Sequence, residues 1–289
     1  MTNVIRLAVL PFLFTVFAGA AARQSEIHYA GNTSPASITP TFDNGYLAVY
    51  DRRGDLLVYG PDGSLAFSYS PPENSYVSNA AVDVDGSAAV AVAGDQHMNG
   101  RISLLTPSGK QLRLIEMENY IPAGVCFAPD HSIWVIGGPF EPESSTSNYE
   151  ILRHYSVEGE ELGRYLPRSS FPAGRQPLHV VIGHWMLRIT EGRIGVFLNH
   201  GEQAFWVETD MMGKKTGRWP VDPNYHVGAF SGGAVYAETA SGLVKLDRQS
   251  GQWRIASNPG AAHLLGAYRG DLVFMPRGEN SITFVTPGP

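Results

Sequence analysis

Three short runs each place a histidine among mostly aliphatic residues: Leu178-His179-Val180-Val181, Tyr225-His226-Val227-Gly228 and Ala262-His263-Leu264-Leu265. Neutral imidazoles suit zinc and other borderline divalent metals, and three of them with an open fourth position would polarise a bound water or carbonyl. A divalent ion such as zinc is therefore the one cofactor these residues suggest. The same histidines have a plainer use as solvated side chains at a wet channel mouth, and a slip of one residue along a strand would turn any of them to the other face. Counting back seven residues from Gly233 and Gly270 leads to His226 and His263, and the same count from Gly86 leads to Asn79, which would share that mouth.

The rest of the chain offers little competing chemistry. It contains no Gly-x-Ser-x-Gly elbow, no His-Glu-x-x-His pair, no P-loop and no dinucleotide-binding glycine fingerprint. Cys126, the single cysteine, sits in Gly124-Val125-Cys126-Phe127 and reads as a small hydrophobe on a buried inner strand. Asp83 and Asp85 alternate with valines before a turn without the spacing of a calcium loop, which makes them turn-forming. Glu158, Glu160 and Glu161 read as a solvated edge, and Trp134 and Trp185 as packing aromatics.

The elements that must position these residues repeat. An apolar run reaches a tight turn and a glycine at Val58-Tyr59-Gly60-Pro61-Asp62-Gly63 and Leu104-Leu105-Thr106-Pro107-Ser108-Gly109, with further versions closing on Gly159, Gly213, Gly251 and Gly288. Most intervals are about 40 to 50 residues, the period of four-stranded propeller blades. Each unit holds a second hairpin upstream, turning at Asp85-Gly86, Pro129-Asp130-His131, Gly232-Gly233 and Gly270, with an earlier turn at Gly183-His184 in the fourth unit. The expected fold is all-β, a six-bladed β-propeller of four-stranded blades. The last unit stops one strand short, so Glu26 to Ala30 is expected to complete the last blade and close the ring. Longer connections at 94–100, 138–148, 166–177, 199–202 and 276–280 would gather on the face opposite the tight turns, where binding is expected; 138–148 reads equally as a disordered insertion.

This arrangement resembles the six-bladed propellers of the NHL-repeat group and the wider TolB-like and regucalcin-like superfamily, on Val82-Asp83-Val84-Asp85-Gly86 and Val58-Tyr59-Gly60-Pro61-Asp62-Gly63. The resemblance spans nearly the whole mature chain and implies a fold rather than an activity. Amidating lyases of that group are similar in carrying three zinc-binding histidines around the channel, but theirs come from more widely separated blades than His179, His226 and His263. Lactonases of the regucalcin type use acidic and amide ligands there, and only Asn79 matches such an entrance.

The 289 residues with 43% hydrophobic content suffice for one large closed domain, expected over 23–289. Residues 1–22 read as a signal peptide: Arg6, then an apolar stretch from Leu7 to Phe17, then Ala18-Gly19-Ala20-Ala21-Ala22. An uncleaved anchor is the alternative; the stretch is short for a membrane span, and no later segment is long enough. Secretion or a periplasmic address follows, and one cysteine permits no internal disulfide. Asn32-Thr33-Ser34 fits a glycosylation acceptor. A net charge of −6 argues against nucleic acid or anionic membrane as partner, and a monomer is expected. The leading function is a non-catalytic scaffold binding a protein, peptide or glycan through the loop-rich face. A metal-dependent lyase or hydrolase and a structural envelope component are the alternatives.

Overall fold

The computed structural model describes residues 26–29, 40–51, 53–94, 99–139, 148–171, 185–190, 192–200, 203–231, 233–257, 262–277 and 279–287. The expected leader, the Asn32 acceptor motif, most of the 138–148 loop, His179 and Gly288 lie outside them. The described strands form six four-stranded antiparallel sheets. Blade 1 comprises Thr41–Asp43, Tyr46–Tyr50, Leu56–Tyr59 and Leu65–Tyr69; blade 2 Ser75–Val82, Ala88–Gly94, Asn99–Leu105 and Gln111–Glu118; blade 3 Ile121–Phe127, Ile133–Gly138, Glu150–Tyr155 and Glu161–Pro167. Blade 4 comprises Trp185–Thr190, Arg193–His200, Gln203–Asp210 and Lys215–Val221; blade 5 His226–Ser231, Ala234–Thr239, Gly242–Asp247 and Gln252–Ser257. In blade 6, Ala262–Tyr268, Asp271–Pro276 and Ser281–Val285 are joined by Glu26–His28. The first strands of successive blades contact one another around a ring, and blade 6 returns to blade 1. The six-bladed β-propeller is thus the observed fold.

The outer hairpins turn where the glycines require it. Gly63, Gly109, Gly159, Gly213 and Gly251 have φ of 79°, 78°, 84°, 75° and 71°, a region costly for other residues. Inner hairpins come in two lengths. Asp43 pairs with Tyr46 across Asn44-Gly45, and Tyr268 pairs with Asp271 across Arg269-Gly270. Blades 2 and 3 instead pair Val82 with Ala88 and Phe127 with Ile133 across five residues. This difference corrects the count that aligned Asn79 with His226 and His263: equal counts from unequal turns reach different positions.

Blade 4 needs a second correction. Its first hairpin turns between Thr190 and Arg193, and the expected turn at Gly183-His184 lies outside the described residues. Trp185 therefore opens the innermost strand, and His179 lies six residues before it in the chain.

Each interface between adjacent blades holds its own apolar cluster. Tyr50, Val58 and Val90 join blades 1 and 2, Trp134 and Val196 join blades 3 and 4, and Trp206 and Val235 join blades 4 and 5. Fully burying one such side chain contributes about 1.5–3 kcal/mol, so every interface draws on several. At the closure, Ile27 opposes Ile282, the Tyr29 N–H donates to the Asn280 carbonyl (3.1 Å), and the Tyr29 ring packs 5.3 Å from that of Tyr59 in blade 1.

Candidate functional site

Around the central channel, side chains of the innermost strands and inner turns of blades 1 to 5 reach the backbone of the next blade. Thr41 donates to the Ala80 carbonyl (2.9 Å) and Asn44 to that of Val82 (2.8 Å). Ser78 donates to Pro122 O (2.6 Å), while the Asn79 amide oxygen accepts from the Val125 N–H (3.0 Å). Cys126 Sγ donates to Leu187 O (3.0 Å), and Ser231 to Gly270 O (3.1 Å). Buried backbone groups facing a channel need such partners.

Arg188 performs the longest span. Its Nε donates to Gly228 O (3.0 Å), Nη1 to Leu187 O (2.9 Å) and Nη2 to Leu265 O (3.1 Å). Gly228 and Leu265 are the extra residues of bulges that interrupt the innermost strands of blades 5 and 6. A bulge takes a residue out of the ladder, and here both freed carbonyls meet one guanidinium from blade 4. The strands approach so closely that a Cβ on Gly228 would lie 2.6 Å from Leu264 O, and one on Gly266 2.7 Å from Phe42 O.

Arg188 and Asp43 line a chamber of about 120 Å³ with Cys126, Phe42 and Val82. Desolvation raises the Asp43 carboxyl above its usual range, and the Arg188 charge offsets part of that. Burial, reinforced by the Asp43 charge, pushes the Cys126 thiol up to about 12, so it is a protonated donor and no nucleophile.

Asn44, Phe127, Ile189, Phe230 and Ala267 line both this chamber and a wider funnel of about 900 Å³, so the two adjoin. The funnel is framed by inner turns from all six blades and opens on their face. Arg193, Arg269 and His131 stand on its rim beside Asp83. His131 Nδ1 hydrogen-bonds Asp83 Oδ2 at 2.5 Å, joining the turns of blades 3 and 2; Asp83 is buried and thus does more than shape its own turn. Arg269 stacks on Tyr268, 5.0 Å from the ring centroid.

The opposite mouth carries His226 and His263. His226 is exposed and opposes Glu238 in register, and His263 Nδ1 lies 3.3 Å from Glu238 Oε1. Glu238 also meets Arg277 (3.5 Å) and accepts from the Leu264 N–H (3.0 Å). Asn79 is turned to the Val125 backbone, and His179 is outside the described residues. Among the described residues no group of three His, Cys, Asp or Glu side chains is arranged to hold a metal. Sequence reasoning missed Asp43 and Arg188; the only available signal was a charged residue interrupting Met186-Leu187-Arg188-Ile189.

No protein-family model matches the chain, and no curated protein matches it. Similar solved structures include a protein of unknown function from Bacteroides caccae (TM-score 0.53, 13% identity, covering 79% of this chain and 81% of that one). A chain of a nidogen/laminin complex is similar at TM-score 0.52 and 12% identity over 86% of this chain and 88% of that one. The β-propeller domain of Cps50 (Swd1) from Myceliophteria thermophila matches at TM-score 0.51 and 12% identity, covering 89% and 99%. At these identities the common property is the β-propeller fold.

Proposed function

We propose that this chain is an exported, non-catalytic binding propeller whose ligand enters the central funnel. The carrying observation is convergence: turns of all six blades frame one cavity, with a cationic rim above Asp43 and the buried Arg188. A cationic mouth on a net-acidic protein draws anionic groups of a peptide, glycan or protein partner. The nidogen/laminin complex contains a chain of this fold, which supports a role in contacts between proteins. The test is peptide and glycan array binding by the mature chain, by Arg193→Ala/Arg269→Ala and by a variant with 138–148 shortened. Binding lost in the arginine variant supports the funnel; binding lost only on shortening 138–148 moves the site to the loop-rich face.

A metal-dependent lyase or hydrolase at the opposite mouth is the second reading, favoured by His226 and His263 both adjoining Glu238. It requires about one zinc or similar ion per chain by elemental analysis, lost in each of His179→Ala, His226→Ala and His263→Ala. A metal-free wild type removes it.

A further inference from the structure

We infer that the chamber beneath the funnel is a seat for a small zwitterionic amino acid, its ammonium on Asp43 and its carboxylate on Arg188. The inference rests on reading the channel as a binding site. Asp43 comes from blade 1 and Arg188 from blade 4, and both line the same space. Among the described residues no contact ion pair joins them, and the Asp43 carboxylate accepts no hydrogen bond. Asp43 is half-buried, and Arg188 is only 7% exposed. Arg188 commits one N–H from each nitrogen to a carbonyl and also hydrogen-bonds the Cys126 sulfur, so one of a guanidinium's five donors remains.

Two opposite charges withdrawn from bulk water and held apart in one chamber are costly unless something bridges them. A carboxylate alone would meet Arg188 and repel Asp43, and an amine alone would do the reverse. A molecule carrying both groups satisfies both charges. The chamber volume of about 120 Å³ approaches that of engineered cavities of about 150 Å³ that take a benzene-sized guest. It therefore admits the backbone of an α-amino acid, within a lining whose exposed atoms are mostly polar. The adjoining funnel is the side toward which the side chain would extend.

The test is calorimetric titration of the mature chain at pH 7 with L-alanine and L-leucine, using acetate and ethylammonium as single-charge controls. Expected is one-to-one amino-acid binding, with both controls at least tenfold weaker. Asp43→Asn, which keeps the shape of the side chain, should weaken binding at least tenfold while circular dichroism shows a folded propeller; Arg188→Lys provides a second variant. Absence of amino-acid binding, acetate binding as tight as L-alanine, or unchanged binding by folded Asp43→Asn each overturns the inference. If array binding still depends on Arg193 and Arg269 in that event, the funnel reading stands and only the amino-acid seat falls.

Discussion

Glu208 in blade 4 accepts Arg248 Nε from the outer turn of blade 5 at 2.8 Å, and this pair locks two blades beneath the funnel rim. Glu208 is 2% exposed; Trp206 Nε1 also donates to it (2.8 Å), and Arg193 reaches it at 3.4 Å. Arg248 donates in turn to the Gly233 carbonyl of the inner turn. Glu208→Gln leaves these cations without their buried partner. Loss of a buried ion-pair partner costs about 3–5 kcal/mol, less where the cation is partly solvated, so a loss of about 2 kcal/mol is expected in urea denaturation. A change within ~0.5 kcal/mol would show that the carboxylate holds nothing.

The closing strand is short but is the outer strand of blade 6. Deleting residues 23–31 removes the Ile27–Ile282 pairing and the buried Tyr29 ring. Losing the buried Tyr29 and the partly buried Ile27 side chains costs about 2–5 kcal/mol. The melting temperature should fall by about 10 °C or more; an unchanged melt would refute the closure.

Much of this architecture was legible because turn chemistry is local. A glycine at positive φ is a property of a few adjacent residues, so the outer turns from Gly63 to Gly251 and the missing last strand could be read directly. Inner turn length was not legible, since five residues at 83–87 and two at 269–270 both contain a glycine. That ambiguity misaligned Asn79, and the turn-like pair Gly183-His184 displaced the first strand of blade 4. Asp43 and Arg188 come to line one chamber only through the closed ring, and no spacing in the sequence relates them.

Asp43 carries a stability cost that ligand binding would justify. Its folded carboxyl lies above the ordinary 3.8, so ionisation is harder in the folded chain than in the unfolded one. The cost is absent below about pH 3.8, grows as pH rises through the raised folded value and is fully present beyond it. Asp43→Asn should therefore raise the melting temperature at pH 7 and give no gain near pH 3. A lower melting temperature at pH 7 would mean that pairing with Arg188 outweighs desolvation.

His131 has the opposite sign. Its hydrogen bond to Asp83, then that residue's charge, raises its pKa above 6.5. The stabilisation is fully present below about pH 6.5 and is lost as pH rises through the raised folded value. His131→Asn, which tolerates the φ of 66°, should lower the melting temperature more at pH 5.5 than at pH 9. Equal differences at both pH values would contradict the link between the two turns.

The most direct test of the funnel exploits the single native cysteine. Cys126 is buried with its thiol pushed up to about 12, so an added cysteine can be labelled selectively. Val84 lines the funnel and is 64% exposed, while Ile255 lies on the outer strand of blade 5 at 86%. With array-identified ligand, a bulky maleimide on Val84→Cys should abolish binding, and the same label on Ile255→Cys should leave it intact. Full binding by the Val84-labelled protein would contradict a ligand seat in the funnel.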